Sequence, residues 1–480
     1  MVVQHNMQAM NANRMLNVTT SAQSKSTEKL SSGYRINRAA DDAAGLTISE
    51  KMRKQIRGLD QASTNAEDGV SSVQTAEGAL TEVHSMLQRM NELATQAANG
   101  TNSKDSDRQA IQDEIDQLTT EIDRVSETTK FNETYLLKGD KGATKNVFMN
   151  GHDAGLKGTL TDSAKSATFV MDTLESGDKI TIAGKEYTIG SSKTDADAIA
   201  DKAVADAHAT NGATSITVDG NKYDIATDGK ISKDGTELGA DAAADLTALK
   251  KLIQAGSTVE YNGKSATVMT DTKDATGAAN PDNIDDDDSS IITASKAKEL
   301  IQKELTEANN IGTVDSKATV DGGTDDAATG KTTFKITKGY ATVADTLSFN
   351  LHVGADADMT NKINVNIDSM DSASLGIKGL NIKDDSGNAA TYAVDAISDA
   401  ISKVSSQRSS LGAVQNRLEH TINNLDNVVE NTTTAESRIR DTDMASEMVN
   451  YSKNNILAQA GQSMLAQANQ SNQGVLSLLQ

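Results

Sequence analysis

The residues with the greatest capacity for chemistry are the histidines and one run of aspartates. The six histidines are far apart in the sequence and form no close ligand pair such as HExxH, which argues against a zinc hydrolase. Four adjacent aspartates at 285–288 lack the alternating ligands and the turn glycine of an EF-hand, so a solvated loop is the better interpretation. The chain has no cysteine, which excludes disulfides, thiol catalysis and Cys-ligated metals.

Phosphate-binding and basic motifs give no further catalytic candidate. There is no Walker loop and no GxGxxG segment after a predicted strand. The four basic residues within 51–57 form a cluster suited to anionic lipid, but Glu50 and Asp60 flank it on a predicted helix. An exposed or ion-paired helix face is therefore favoured over a lipid site. We predict that the chain is not an enzyme and that it uses no cofactor or metal.

Composition and charge narrow the classes of partner. Lys and Arg total 46 against 68 Asp and Glu in 480 residues, a formal net charge of −22. Nucleic acids and anionic membranes both require a basic footprint, so neither partner is predicted. No window approaches about 18 consecutive apolar residues, so no membrane insertion is expected. The first residues lack the basic and apolar regions of a secretory signal peptide, which alone would predict a cytosolic protein.

Helical periodicity is the strongest structural signal. Apolar residues recur at steps of three and four along 59–97, 111–125 and 394–439. Such patterns are typical of coiled coils or long-helix bundles. The third run alone predicts a rod of roughly 70 Å at the rise of an α-helix. Since Pro281 is the only proline, long uninterrupted helices are permitted elsewhere.

The two ends of the chain are nearly free of charge. Residues 454–480 carry none, and 1–24 carry only Arg14. Asn and Gln side chains interrupt the apolar stripe of 454–480. Polar residues at such seam positions weaken an isolated helix. We therefore predict terminal helices that are prone to disorder alone and that order on assembly. The residues assigned to these polymerisation helices are Val3, Met7, Met10, Met448, Leu465, Gln467, Asn469, Leu476 and Leu479.

The middle of the chain differs in kind. The segments 180–189, 216–225 and 259–268 each alternate β-branched and polar residues around a dipeptide that ends in glycine. This pattern predicts β-hairpins, and a helical stretch follows each one. Hairpin–helix units repeated about every 40 residues predict a compact α+β insert with a core of its own.

Together these signals predict a mainly α chain that carries an α+β insert. A long antiparallel, coiled-coil-like rod is built from both chain ends, and its terminal helices are disorder-prone. The terminal coiled-coil core comprises 1–42 and 438–480, and the helical rod with β-hairpins comprises 43–171 and 345–437. The variable, hairpin-rich surface insert is 172–344.

Long motifs in the helical blocks resemble bacterial flagellin. They include LSSGYRIN at 30–37, DDAAG at 41–45 and LGAVQNRL at 411–418. The resemblance covers about 1–150 and 345–480. It implies a structural subunit that polymerises into the flagellar filament for motility, is exported unfolded through the type III apparatus and is extracellular.

The resemblance also implies a set of partners. These are further copies of the chain, an export chaperone, hook-associated proteins and the filament cap. A hook–filament junction protein, or another flagellin-like surface or adhesive filament protein, is the alternative. The closing pattern of LAQAN followed by VLSLL favours the filament subunit.

One further surface is implied by the resemblance. The segment 87–94 resembles the flagellin patch that Toll-like receptor 5 recognises. Positions 89, 93 and 96 lie one residue off the predicted core positions, so we expect an exposed leucine between an arginine and a glutamine. The implied receptor and inter-subunit contact residues are Arg89, Glu92, Leu93, Gln96 and Glu114.

Overall fold

The computed structural model of the protein describes residues 6–103, 106–210, 213–271, 282–326, 328–384 and 387–478. The chain divides into two compact units. Unit 1 comprises Met1–Gln74, Phe349–Val365 and Leu411–Gln480, and unit 2 comprises Thr75–Ser348 and Asn366–Ser410. Helices dominate both ends of the chain and strands dominate the middle, which confirms the predicted fold class.

Four long helices occupy the ends of the described chain. They are α1 (Met7–Ser32), α2 (Ala43–Ala97), α8 (Asn388–Arg440) and α9 (Met444–Leu478). The shorter helices are α3 (Asp107–Thr128), α4 (Lys193–Thr210), α5 (Ala242–Leu252), α6 (Ala294–Asn309) and α7 (Ser372–Leu375), with a 3-10 turn at Met359–Asn361. The three predicted heptad runs lie within α2, α3 and α8.

The strands lie between α3 and α8. The first ten are β1 (Lys130–Phe131), β2 (Thr134–Tyr135), β3 (Asp140–Phe148), β4 (Thr159–Asp162), β5 (Ser166–Asp172), β6 (Lys179–Ile182), β7 (Lys185–Ile189), β8 (Thr214–Val218), β9 (Asn221–Ile225) and β10 (Ile231–Lys233). The others are β11 (Thr236–Glu237), β12 (Thr258–Tyr261), β13 (Lys264–Thr267), β14 (Ile291–Ile292), β15 (Thr319–Val320), β16 (Thr324–Asp326), β17 (Lys331–Thr337), β18 (Tyr340–Asp345), β19 (Leu347–His352) and β20 (Lys362–Ile367).

Three larger sheets form in this region. One is antiparallel, with strand order β11-β10-β9-β8-β12-β13, and a second has the order β14-β7-β6. The third has the order β15-β17-β5-β4, with β16 also paired to β17. The remaining strands pair as β1-β2, β18-β3 and β19-β20.

All three predicted hairpins form. In the second one, Asp219 and Gly220 turn the chain with φ angles of 52° and 75°, the conformation of a type I′ turn. The same pair of positive φ angles occurs at 183–184 and 262–263. A fourth turn of this kind, Asp234–Gly235 between β10 and β11, was not predicted.

Unit 1 contains a small core in which a β-hairpin packs against helices. Ala66 of α2 and Leu418 of α8 are fully buried, and Val353 beside β19 packs against them. Gly69 makes this close approach possible, because a Cβ atom there would lie 2.3 Å from Cδ1 of Leu351. A larger residue at this position would force the side chain of Leu351 to move.

The parts of α2, α3 and α8 that belong to unit 2 bury the predicted heptad seams. Arg89 of α2 is ion-paired to Glu114 of α3, and Glu77 of α2 lies 3.5 Å from Arg408 of α8. Fully buried seam residues include Leu80, Leu87, Met90, Ile115, Ile122, Ile397 and Val404. This burial confirms that the spacing in the sequence defines the inward faces.

The middle of unit 2 contains two hydrophobic cores. One lies within 193–268, where α4 and α5 cover the six-stranded sheet, and includes Leu249 and Ile216. The other combines residues inside the predicted insert with residues outside it, such as Phe334 with Phe169 and Tyr392. The expected separate core therefore forms for 193–268. For the rest of 172–344 that expectation is wrong, because β17 pairs with β5 across the predicted boundary.

Candidate assembly surface

Helices α1 and α9 pair in antiparallel fashion within unit 1. Near the start of α1, the Nδ2 atom of Asn6 donates a hydrogen bond to the carbonyl of Ala468 at 3.1 Å. Farther along, Leu16 lies against Gly461, and the connectors after α1 and before α9 form a bridge between Tyr34 and Asp441. The pairing brings the two ends of the described chain together.

The faces of this helix pair that point away from the contact are apolar and exposed. Met7 is 69% exposed and Ile456 is 67% exposed. No side chain within 444–471 is fully buried, and Ser26 is the only buried residue of α1. We call this the terminal surface; its large apolar residues are Met7, Met10, Met15, Val18, Met444, Met448, Val449, Ile456, Leu457 and Met464. Apolar surface of this extent marks an interaction site.

Charge is sparse on the terminal surface. The sequence of α9 contains only Glu447 and Lys453 as charged residues. Burial of α9 against another protein surface would therefore desolvate few ions, and amides such as Gln467 can exchange water for protein hydrogen bonds. The arrangement suits packing against other helices and offers no group for bond-making chemistry.

The positions predicted for the polymerisation helices are distributed unevenly. Met7, Met10 and Met448 are exposed, as are Gln467 and Asn469. Leu465 is half-buried at the contact with α1. Leu476 belongs to α9, whereas Val3 and Leu479 fall outside the described residues.

A charged cluster fixes the connectors that join these helices to α2 and α8. The ring of Tyr34 is sandwiched between the guanidinium groups of Arg53 at 5.5 Å and Arg440 at 4.8 Å. The buried Glu436 accepts hydrogen bonds from Ser49 at 2.8 Å and is 3.2 Å from Arg53. Burial lowers the pKa of Arg53, but its contacts with Tyr34 and Glu436 outweigh that effect and raise the pKa overall.

The sequence predicted an exposed or ion-paired helix face at 51–57 but did not identify this cluster. Its signal in the sequence is an Arg three residues after Glu50, together with the aromatic residue inside LSSGYRIN. The partner residues on α8 are almost 400 positions away, so periodicity alone does not identify them.

The predicted receptor surface is polar and ion-paired. Arg89 donates hydrogen bonds to Glu114 at 2.9 Å and to Glu92 at 3.2 Å, and these bonds, that to Glu114 foremost, raise its pKa. Gln96 is exposed on the same helix. Leu93 is only 2% exposed, so the expectation that it forms an exposed stripe is wrong. The buried arc of α2 is therefore wider than the two-position seam.

The described residues contain neither a group of metal-binding side chains nor a helix that could span a membrane. Within the described ranges, no three His, Cys, Asp or Glu side chains are grouped so as to hold a metal ion. None of the described helices has the length and apolar character needed to cross a membrane.

The chain matches two family models. The bacterial flagellin N-terminal helical region matches residues 3–142, and the bacterial flagellin C-terminal helical region matches residues 394–479. These matches contain the whole of α2, α3 and α9 and most of α8.

Several curated relatives are similar over nearly the full length. A flagellin of Clostridium tyrobutyricum is 40% identical over 476 residues, which is 98% of this chain and 100% of the relative. A flagellin of Bacillus subtilis strain 168 is 34% identical over 480 residues and covers 100% of both chains. A flagellin of Salmonella rubislaw is 36% identical over 497 residues, with 97% of this chain and 96% of the relative covered.

Proposed function

We propose that this chain, which belongs to the bacterial flagellin family, is a structural subunit that polymerises into the flagellar filament and serves motility. The terminal surface carries the proposal, because it exposes large apolar residues on helices that bury almost nothing in the single chain. Full-length similarity to proteins named flagellin supports it. The proposed role is structural and involves no catalysis.

We further propose a layered arrangement of the subunit in the polymer. Residues 1–42 and 438–480 form the terminal core, 43–171 and 345–437 form the surrounding helical rods, and 172–344 faces outward. The low charge of the terminal helices supports their burial, since few ions lose solvent. The −22 net charge of the whole chain is consistent with an outer region in contact with water.

Export and partner binding belong to the same proposal. The chain would leave the cell unfolded through the flagellar type III apparatus and join a filament outside it. An export chaperone, hook-associated proteins and the filament cap would bind it in turn. The exposed apolar residues of α9, such as Ile456, support a chaperone contact because an uncovered surface of this kind favours aggregation before assembly.

We also propose that the polar surface on α2 and α3 is recognised by Toll-like receptor 5 and contacts neighbouring subunits. Arg89, Glu92, Gln96 and Glu114 are exposed and provide direct contacts. Leu93 contributes indirectly, because its buried side chain fixes the position of the helix that presents Arg89. Filaments should then bind the receptor ectodomain less well than monomers do.

The assembly proposal is tested with two matched variants of the full chain. Ile456→Asp places a charge on the terminal surface, and Leu252→Asp places the same charge at a 45% exposed leucine of α5. Sedimentation and negative-stain imaging under polymerising conditions should show filaments for Leu252→Asp and none for Ile456→Asp. Circular dichroism should show both monomers folded. Filaments of normal yield from Ile456→Asp would overturn the proposal.

A further inference from the structure

A cavity of about 430 Å³ opens in unit 2 beside the first half of α8. Lys145 of β3, Thr346, Asp368 and Lys403 line it, and none of them takes part in the surfaces described above. We propose that this cavity is a binding site for a carboxylate on a short aliphatic chain, with the Lys403 ammonium as its anchor. The proposal does not depend on filament formation.

Two amines line the cavity, but only one of them is neutralised. The Nζ atom of Lys145 lies 2.7 Å from Oδ1 of Asp368 and 2.7 Å from Oγ1 of Thr346. Burial raises the pKa of Asp368, but its bonds to Lys145 and Thr346 outweigh that effect and lower it. Lys145 and Asp368 therefore form an ion pair, and Oδ1 of Asp345 lies 3.8 Å from the same ammonium group.

Lys403 has no such partner. Among the described residues its ammonium makes one hydrogen bond, to the carbonyl oxygen of Ser374 at 3.3 Å, although it has three N–H donors to offer. Burial lowers the pKa of Lys403, and Asp399 opposes the shift only in part. A carboxylate beside the amine would supply the missing charge and acceptors.

The rest of the wall fits the same ligand. Ser406 and Ser410 follow Lys403 on one face of α8, and neither hydroxyl makes a hydrogen bond within the described chain. Val147 and Leu375 add an apolar side to the cavity. Within the described residues, Lys403 is the cavity-lining amine with no carboxylate at hydrogen-bonding distance, which suits a monocarboxylate with a short alkyl body.

Two sources can supply this chemistry. One is a free short-chain acid in solution. The other is a glutamate side chain from a second copy of the chain, in which a carboxylate ends a two-carbon stem. Both present the same group to Lys403, so they differ only in whether the site is filled before or after copies associate.

Saturation-transfer NMR on the monomeric full chain tests the proposal, with butyrate as probe and butyramide as its neutral isostere. We expect saturable transfer to butyrate and none to butyramide. Lys403→Met should abolish it, and Ser406→Ala with Ser410→Ala should weaken binding by about five- to tenfold, the effect of one or two hydrogen bonds. Lys303→Met, at a 65% exposed lysine of α6, is the matched control and should bind butyrate normally.

The same titration on assembled material separates the two sources. Loss of butyrate binding on assembly shows that a neighbouring copy fills or covers the site and favours the neighbour's carboxylate, and unchanged binding favours a free acid. Absence of transfer to butyrate in the monomer, or equal transfer to butyramide, would overturn the proposal. If Lys403→Met fails to fold, the Ser406→Ala and Ser410→Ala variant decides the question, since both hydroxyls are exposed and bear no structural bond.

Discussion

The helix pair α1–α9 and the segment 193–268 differ in how far their apolar side chains are buried within the single chain. In 193–268, Ile216, Leu249 and Val259 are fully buried between the sheet and the two helices that cover it. In the helix pair, Met7 and Ile456 remain more than half exposed. One region has completed its hydrophobic core within a single chain, and the other has not.

This difference indicates where the single chain depends on other molecules. Burial of apolar area is the main favourable term in folding, so a region that already has its core gains little from association. A helix pair with no buried side chain on α9 within 444–471 gains most of its stability only when another surface covers it. The following predictions test this contrast, from the largest effect to the smallest.

The largest effect is expected from removal of residues 454–480. The truncated chain should lose polymerisation altogether, because most of α9 is gone, including the exposed apolar residues Ile456, Leu457 and Met464. Sedimentation measures the loss, and circular dichroism should show α2 and α8 still folded. The control is Leu252→Asp, which lies outside the terminal helices and should still polymerise. Long filaments from the truncated chain would contradict the account.

The stability of the monomer should respond to the two regions in the opposite order. Leu249→Ala empties part of the closed core and should lower the free energy of unfolding by about 2–5 kcal/mol. Ile456→Ala should change it by less than about 0.5 kcal/mol, because the side chain is exposed in the single chain. Urea unfolding of both monomers measures the difference. Equal losses would show that α9 has a buried core contact in solution.

Two glycines on α2 form a matched pair. Gly69→Ala places a Cβ atom 2.3 Å from a terminal methyl group of the half-buried Leu351, which must shift, so the variant should be destabilised by about 1 kcal/mol, the low end for overpacking against a flexible side chain. Gly78→Ala meets no atom within 4 Å and should stabilise the helix by about 0.5–1 kcal/mol. Thermal unfolding of both variants gives the two signs. A stabilised Gly69→Ala variant would show that the hairpin does not pack closely there.

A smaller, pH-dependent effect is expected at Asp368. Its pKa is lowered in the folded chain, so its stabilisation is present above the unfolded-state pKa and is lost as pH falls through the folded-state value. Asp368→Asn should cost about 0.5 kcal/mol near neutral pH, a small value because the pair with Lys145 is about half exposed. Urea unfolding across acidic pH should show this cost shrink to zero. A cost that persists at the lowest pH would exclude the ionic explanation.

The smallest effect on stability is expected at Arg89. Its ion pairs are fully exposed, so Arg89→Gln should leave monomer unfolding unchanged. The same variant should weaken binding of the receptor ectodomain, which surface plasmon resonance measures. Glu121→Gln, in an exposed ion pair of α3 with Arg124, is the control that should leave both quantities unchanged. Normal receptor binding by Arg89→Gln would remove this surface from the proposal.

Local structure could be predicted from the sequence wherever it depends on residues that are close together in the chain. The heptad spacing identified Leu80, Leu87 and Val404 as buried, and dipeptides such as Asp219–Gly220 identified the hairpin turns. The dependence of the terminal helices on assembly was also predicted and stays a prediction, because an uncharged helix with amides on its seam lacks the pattern of a self-sufficient core.

Contacts between residues that are far apart in the sequence could not be predicted from it. Leu93 is buried although it lies one residue off the predicted seam, and a seam drawn for one neighbour cannot show this. The shared core of Phe169 and Phe334 depends on pairing between strands that lie 165 positions apart, and no local signal reports it. The cavity at Lys403 likewise gathers residues from four separate stretches of the chain.

Amide hydrogen exchange of the full chain, compared between monomers and sedimented filaments, tests the central contrast most directly. The account predicts that peptides from 444–471 exchange rapidly in the monomer and are strongly protected in the filament. Peptides from 214–268 should be protected to the same degree in both, because their core is already complete. Equal protection of 444–471 in the monomer and the filament would contradict the claim that other copies of the chain complete the terminal helices.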